Sequence, residues 1–176
     1  MIAPAALTAI VTVAVVLAMM LVELWVSVGN ERRLRARGAV GPPDSAYGAM
    51  RLVYPATFVA MGIEGAFSAP LSVTAPGVLV GAGAAVFVLG KLLKVWDIVA
   101  LGPFWTYKVL VVPGETLVTR GPYAWMRHPN YIGVVGELIG VALICGARVT
   151  GPLSVVAFGW LLWRRIQAEE QALGLR

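Results

Sequence analysis

The chain has 176 residues, of which 59% fall in the hydrophobic set and 13% are charged, with a formal net charge of +5. A soluble domain is about 45–50% apolar and about 25% charged, so charge at this density cannot cover the surface, and lipid must face much of it. A secreted disulfide scaffold, a disordered tail and a free cytosolic enzyme are excluded, and the single cysteine, Cys145, leaves neither a disulfide nor a cysteine-based metal site to expect.

Residues 7–28 are apolar except for Thr8, Thr12, Glu23 and Ser27, and at about 1.5 Å per residue they reach roughly 33 Å, enough to cross a bilayer. They read as a first transmembrane helix. A signal peptide is disfavoured because no Lys or Arg precedes the run and the run is too long. Glu23, near the cytoplasmic end, reads as a snorkelling or capping group. Residues 52–69 carry one charge, Glu64; residues 77–101 follow Pro76 and hold Lys91, Lys94 and Asp97 in their second half; residues 131–147 hold Glu137. A short fifth block, 153–163, tilts or pairs with the fourth as a hairpin. The expected fold is an all-α, multi-pass transmembrane bundle of about five spans. Gly81-Ala82-Gly83-Ala84-Ala85 imitates a glycine-rich nucleotide turn, but no strand precedes it, and small residues at this spacing let membrane helices approach, so it reads as packing surface.

Positive charge sets the orientation. The first loop holds Arg32, Arg33, Arg35, Arg37 and Arg51; the second, 70–76, holds none; the third region has Lys91, Lys94, Lys108, Arg120 and Arg127; the fourth loop has Arg148 and the tail Arg164, Arg165 and Arg176. An N-terminus outside and an active face toward the cytoplasm are expected. The Ala, Gly, Val and Arg richness suits a high-GC genome, so a bacterial cytoplasmic membrane is expected. The run from Arg32 to Arg37 is a topology signal that also attracts anionic lipid. The net charge follows from this bias, and without basic residues interleaved with exposed aromatics no nucleic-acid partner is expected.

Residues 101–131 are too long, basic and aromatic for a simple connector. Pro103, Pro113, Gly114, Gly121, Pro122 and Pro129 interrupt any helix, while Phe104, Trp105, Tyr107, Tyr123 and Trp125 supply flat rings for the membrane interface or for an adenine. Pro129 can take the first turn of the fourth helix, leaving that turn's N–H groups and the positive dipole end toward the loop. Arg127 and His128 stand there and Tyr131 lies close behind, so together they could grip a carboxylate beside an aromatic ring.

The order Gly121-Pro122-Tyr123, then Arg127-His128-Pro129, then Tyr131 and Gly133 resembles the signature of the isoprenylcysteine carboxyl methyltransferase family of integral-membrane enzymes. The resemblance is specific over 117–133, extends more weakly from about 101 to 173, and touches the N-terminal spans only in hydropathy. It implies a helical membrane fold with S-adenosylmethionine in a cytoplasmic pocket roofed by the loop and the C-terminal segment. The single domain 1–176 then divides into N-terminal transmembrane helices, 1–100, and a cofactor-binding catalytic core, 101–176. Carried over by position, cofactor contacts fall on Leu117, Val118, Tyr123, Arg127, His128, Pro129, Asn130 and Tyr131. A second motif, an arginine followed by Glu-Glu-x-x-Leu, appears as Arg165 and Glu169-Glu170-Gln171-Ala172-Leu173. It implies that Glu169 or Glu170 closes the cofactor site and that Arg165 faces the substrate's polar head. The family continues with a Phe-Gly and tyrosine-rich tail where this chain ends at Arg176, so a truncated C-terminus is expected.

The residue chemistry accords with that resemblance. S-adenosylmethionine has a sulfonium, an amino group and a carboxylate but no phosphate, so it needs an aromatic slot, an acid and donors, which the loop and the glutamate pair offer. Methyl transfer is an in-line displacement that asks for alignment at about 3–3.5 Å and exclusion of water. Asn130, Gly133, Glu137 and Gly140 share one helix face, either lining a cleft or bonding another helix. A phenolic acceptor, with a reference pKa of about 10, wants a base, for which Glu137, Glu64 or His128 could serve, whereas a carboxylate acceptor needs none. The resemblance points to O-methylation of a lipophilic or lipid-modified acceptor; Glu31-Arg32-Arg33-Leu34-Arg35-Ala36-Arg37-Gly38 looks like the branch acting on alkylresorcinol or alkylpyrone phenolic lipids. Two competitors are an NADPH-dependent sterol-reductase-like enzyme, which would need extra basic groups for the 2′-phosphate, and a non-enzymatic helical membrane protein.

Overall fold

The computed structural model describes residues 3–41, 45–67 and 76–175, of which Ser45 and Pro76 are described in backbone only. The second connection up to residue 75, the end of the second apolar block and Arg176 lie outside the described residues. Five α-helices follow in order: α1 Pro4–Ala36, α2 Ser45–Phe67, α3 Pro76–Leu101, α4 Pro129–Cys145 and α5 Thr150–Ala172. Two 3-10 turns, Gly102–Phe104 and Gly121–Ala124, lie between α3 and α4. One helix thus corresponds to each apolar block, and the helical membrane fold read from the sequence holds.

α1 and the stretch Gly77–Phe104 are long and apolar enough to span a bilayer, and α4 is a shorter apolar helix. Leu21, Trp25, Leu89, Val99 and Val156 stand exposed, as lipid-facing side chains do and water-facing ones seldom do in such number. α1 is 33 residues long and outruns its apolar block, because the arginine-rich segment continues the helix past the apolar run until Gly38, at φ 81°, turns the chain. α2 contains Pro55, which cannot donate to the carbonyl one turn back.

α3 and α4 pack antiparallel through glycines. A Cβ on Gly83 would lie 2.8 Å from the Gly140 carbonyl oxygen, and one on Gly90 would lie 2.8 Å from the Gly133 carbonyl oxygen. The small-residue stretch is therefore packing surface at Gly83, as its composition indicates. α4 ends where Gly146 takes a left-handed conformation at φ 65° and its N–H returns to Ala142 and Leu143. The hairpin with α5 follows at once, and Glu64 of α2 completes it: its carboxylate accepts the Val149 N–H at 3.0 Å, the Thr150 N–H at 2.7 Å and the Thr150 hydroxyl at 2.6 Å. Glu64 therefore neutralises the free N–H groups of a helix start at the bundle end away from the loop, which removes it as a candidate base. Val16, Tyr54, Phe58, Met61, Leu138, Val141, Phe158 and Leu162 form the core among α1, α2, α4 and α5.

Candidate functional site

With α3 and α4 antiparallel, the end of α3 and the start of α4 share one end of the bundle, and the connector between them is laid across that end. Its path is fixed by a polar stripe on α1. The Asn30 side-chain amide donates to the carbonyls of Gly102 at 3.1 Å and Trp105 at 2.9 Å. The Ser27 hydroxyl accepts the Tyr107 N–H at 2.8 Å, and Lys108 pairs with Glu31 at 2.7 Å. Farther on, Val40 and Val111 exchange two backbone hydrogen bonds of 2.9 Å, and Arg37 pairs with Glu115. Leu34, Ala39 and Val112 pack beneath this strap. The second 3-10 turn then seats on α3: a Cβ on Gly121 would come within 2.8 Å of the Ala100 methyl, a crowding that glycine at φ 63° avoids. α4 begins at Pro129, as its fixed φ allows.

Beneath the strap lies a cavity of about 700 Å³. Its polar end is walled by Tyr123, His128, Asn130, Tyr131, Arg165 and Glu169, and its apolar arm by Leu17, Met20, Leu21, Leu24, Pro55, Phe158 and Leu162. Leu21 and Leu24 are also exposed on the bundle surface, so the arm runs toward the lipid along α1 and α2.

The motif residues converge here although they come from opposite ends of the core. His128 Nε2 lies 3.1 Å from the Glu170 carboxylate, and Nδ1 lies 4.0 Å from Glu169. The Tyr131 hydroxyl donates to Glu169 and receives the Arg165 Nε–H at 3.3 Å. Arg165, almost fully buried, also donates to the Tyr107 carbonyl and so ties α5 to the strap. The His128 and Tyr131 rings stack with centroids 5.6 Å apart. Leu117, Val118 and Arg127 border the cavity as well, Arg127 as an exposed side chain at its rim. Pro129 and Glu170 do not line it: Pro129 is buried in the first turn of α4 and Glu170 stands behind His128.

Glu137 is elsewhere. It is fully buried, pairs with Lys91 at 2.9 Å and Lys94 at 3.5 Å, accepts the Tyr54 hydroxyl at 2.7 Å, and does not reach the cavity wall. A carboxylate so engaged stabilises buried lysines and is a poor match for the general-base role read from the sequence. Glu23 is corrected more fully. It is buried rather than snorkelling, and lies well inside α1 rather than at a cap: it meets Lys91 and Lys94 at 2.7 Å each and accepts the Tyr107 hydroxyl at 3.0 Å. Burial, and then the Glu23 charge, holds the Tyr107 phenol well above its usual range. Burial followed by the Asp97 carboxylate does the same for Tyr123, so both hydroxyls stay protonated.

Two wall residues carry buried oxygens without a hydrogen-bond partner: both carboxylate oxygens of Asp97 and Oδ1 of Asn130. Tyr123 and Trp105 come close enough to Asp97 to act on its charge, yet neither meets hydrogen-bonding geometry. Lys94 and Asp97, read only as charges within the third apolar block, and the α1 stripe escaped the sequence reading as site residues, and Tyr107, read as a ring, serves through its hydroxyl and backbone. The stripe had a signal, since Glu23 and Ser27 interrupt the apolar run four residues apart and Asn30 follows on the same helix face. Among the described residues no group of three or more His, Cys, Asp and Glu could hold a metal ion.

The model of the isoprenylcysteine carboxyl methyltransferase (ICMT) family matches residues 83–174, from the second half of α3 through α5. The chain is 32% identical over 161 residues to the uncharacterized protein YpbQ of Bacillus subtilis, covering 92% of this chain and 94% of that one. It is 32% identical over 97 residues to the protein-S-isoprenylcysteine O-methyltransferase B of Arabidopsis thaliana, covering 52% and 47%, and 40% identical over 63 residues to the protein-S-isoprenylcysteine O-methyltransferase of Saccharomyces cerevisiae, covering 34% and 25%. The chain thus spans less than half the length of these two named enzymes. No solved structure matches it significantly.

Proposed function

The chain belongs to the isoprenylcysteine carboxyl methyltransferase family, and from that premise we propose that it transfers a methyl group from S-adenosylmethionine to the acidic oxygen of a lipophilic acceptor at the membrane. The observation that carries this reading is the two-ended cavity: a polar end built from the matched motif residues, continuous with an apolar arm that borders lipid-exposed positions of α1. A volume of about 700 Å³ falls within the roughly 300–1,000 Å³ typical of small-molecule sites. Its unpartnered oxygens on Asp97 and Asn130 are acceptors that an amino-bearing cofactor satisfies.

S-adenosylmethionine supplies an electrophilic methyl group on a sulfonium, so the protein has to align, enclose and exclude water rather than perform covalent chemistry. Tyr123, Asn130 and Tyr131 hold the cofactor, with Leu117 and Val118 as apolar walls and Arg127 at the rim. Pro129 sets the start of α4 that presents them. Glu169 and Glu170 fix Tyr131 and His128 in place. Arg165 offers its guanidinium to the acceptor's acidic head, and Glu137 acts on the site through the wall residues Lys94 and Tyr54. A carboxylate acceptor fits best: it arrives ionised and needs no base, whereas Glu169, the glutamate in the polar wall, is engaged by Tyr131 and the deeper Glu23 and Glu137 by lysines, so all three would be poor bases for a phenol. The site lies at the end carrying Arg32, Arg33, Arg35 and Arg37, which the positive-inside rule assigns to the cytoplasm, with the N-terminus outside.

The test is label transfer from methyl-labelled S-adenosylmethionine to lipid extract by the protein in nanodiscs. Label in a base-labile methyl ester supports the carboxylate acceptor, label in a base-stable aryl ether supports a phenolic lipid instead, and absence of label from every extracted amphiphile overturns the reading.

A further inference from the structure

Asp97 is fully buried in α3, and neither of its carboxylate oxygens is hydrogen-bonded. The nearby cation is already committed, because Lys94, one turn away, sits 2.7 Å from Glu23. The two carboxylates of the C-terminal motif are committed as well, Glu169 to Tyr131 and Glu170 to His128. Asp97 is thus a carboxylate at the polar end whose oxygens have no formed hydrogen bond and remain open to a ligand.

Its neighbour across the helix pair is in the same condition. Gly90 and Lys94 of α3 both touch Gly133 of α4, and in an antiparallel pair the next turn sets Asp97 opposite Asn130. Three buried acceptor oxygens, two from Asp97 and one from Asn130, therefore stand in one wall with no donor in hydrogen-bonding geometry, although Tyr123 and Trp105 lie near Asp97. Buried polar atoms left so are costly and are normally satisfied. Two kinds of ligand group could do so. A sugar diol would fill the hydrogen bonds and leave the negative charge uncompensated. A primary ammonium supplies three N–H donors and the opposite charge together, and the rings of Tyr123 and Trp105, which also border the cavity, suit a cation.

We infer that Asp97, with Asn130, is the seat of the α-ammonium group of the methyl donor. This rests on the proposed methyltransferase reading and changes its acid: the glutamate pair fixes His128 and Tyr131, and α3 supplies the counter-charge from outside the Arg-His-Pro and Glu-Glu motifs.

Calorimetry on the detergent-solubilised full chain, with S-adenosylhomocysteine and its desamino analogue as probes, tests the seat. Unaltered protein should bind the amino-bearing probe about ten- to a hundredfold more tightly, the range expected for hydrogen bonds to a charged group. Asp97→Asn should remove most of that ratio by weakening the amino-bearing probe alone. Equal weakening of both probes, or an undiminished ratio, overturns the seat. Asn130→Ser should narrow the same ratio several-fold and carries the test if Asp97→Asn does not fold; an unchanged ratio there also overturns it. If the unaltered protein binds neither probe, the methyl-donor reading itself falls, whereas binding of both with equal affinity removes only the ammonium seat.

Discussion

His128 at the start of α4 and Glu170 near the end of α5 meet at 3.1 Å, 42 residues apart in sequence. Glu170 is buried behind the imidazole and does not face the cavity, so it acts as a positioning residue. Glu170→Ala is expected to lower affinity for S-adenosylhomocysteine about tenfold, the scale of one charge-assisted hydrogen bond. His128→Ala should cost at least as much, because it also removes part of the cavity wall and the stack on Tyr131, and the double variant little more than His128→Ala alone, since Glu170 acts through that imidazole. Calorimetry that gave additive losses would show the two acting separately.

The buried charges of Glu23, Lys91, Lys94 and Glu137 balance one another inside the bundle. Removing one partner of such a set leaves another exposed to low dielectric, and Glu23→Gln should destabilise the protein by about 3 kcal/mol. Adding Lys94→Met should recover part of that loss. Thermal unfolding in detergent reads both, and an unmoved midpoint for Glu23→Gln would contradict the pairing.

Helix approach at α3 and α4 depends on hydrogen in place of a methyl group. Gly90→Ala would press a Cβ to 2.8 Å from the Gly133 carbonyl oxygen, at a cost of about 1–3 kcal/mol from overpacking. Gly81, with nothing within 4 Å of its Cβ direction, is the control: Gly81→Ala should be neutral or slightly stabilising. If both variants melt alike, the close crossing is wrong.

Acid should loosen the strap. Burial alone would raise the Glu31 carboxyl, but Lys108 and Arg35 beside it outweigh burial and hold it below its usual range. A depressed pKa in the folded state stabilises above the unfolded value, and that contribution is lost as pH falls through the folded one. Hydrogen exchange of 105–112, corrected for intrinsic rates, should therefore rise below about pH 4. Glu31→Gln should show the raised exchange already at neutral pH with no further acid step, and a flat profile in the unaltered protein would count against the contact.

Local features were the ones legible beforehand. The break at Pro129, the turn at Gly146 and the hairpin after α4 depend on residues within a few positions of each other, and the motif around His128 advertised the polar end of the cavity. Asn130, Gly133, Glu137 and Gly140 could be put on one face, yet that face serves different ends: its glycines admit α3 and its glutamate meets lysines. Pairings across the bundle were opaque. Lys91 and Glu23 are separated by 68 residues and Tyr107 and Glu23 by 84, and no periodicity within α1 names the partner on α3. Asp97 was hidden for a related reason: it lies outside the Arg-His-Pro and Glu-Glu signatures, and only the antiparallel register sets it against Asn130.

The contacts that Ser27, Asn30 and Glu31 make with 102–108 bear on how this molecule can be cut and recombined. Residues 83–174, taken alone, would lose the scaffold on which their own connector is draped. A chimera that grafts a foreign first helix must carry the Ser-Asn-Glu ladder with it, because backbone groups 72 to 80 positions downstream are held by it.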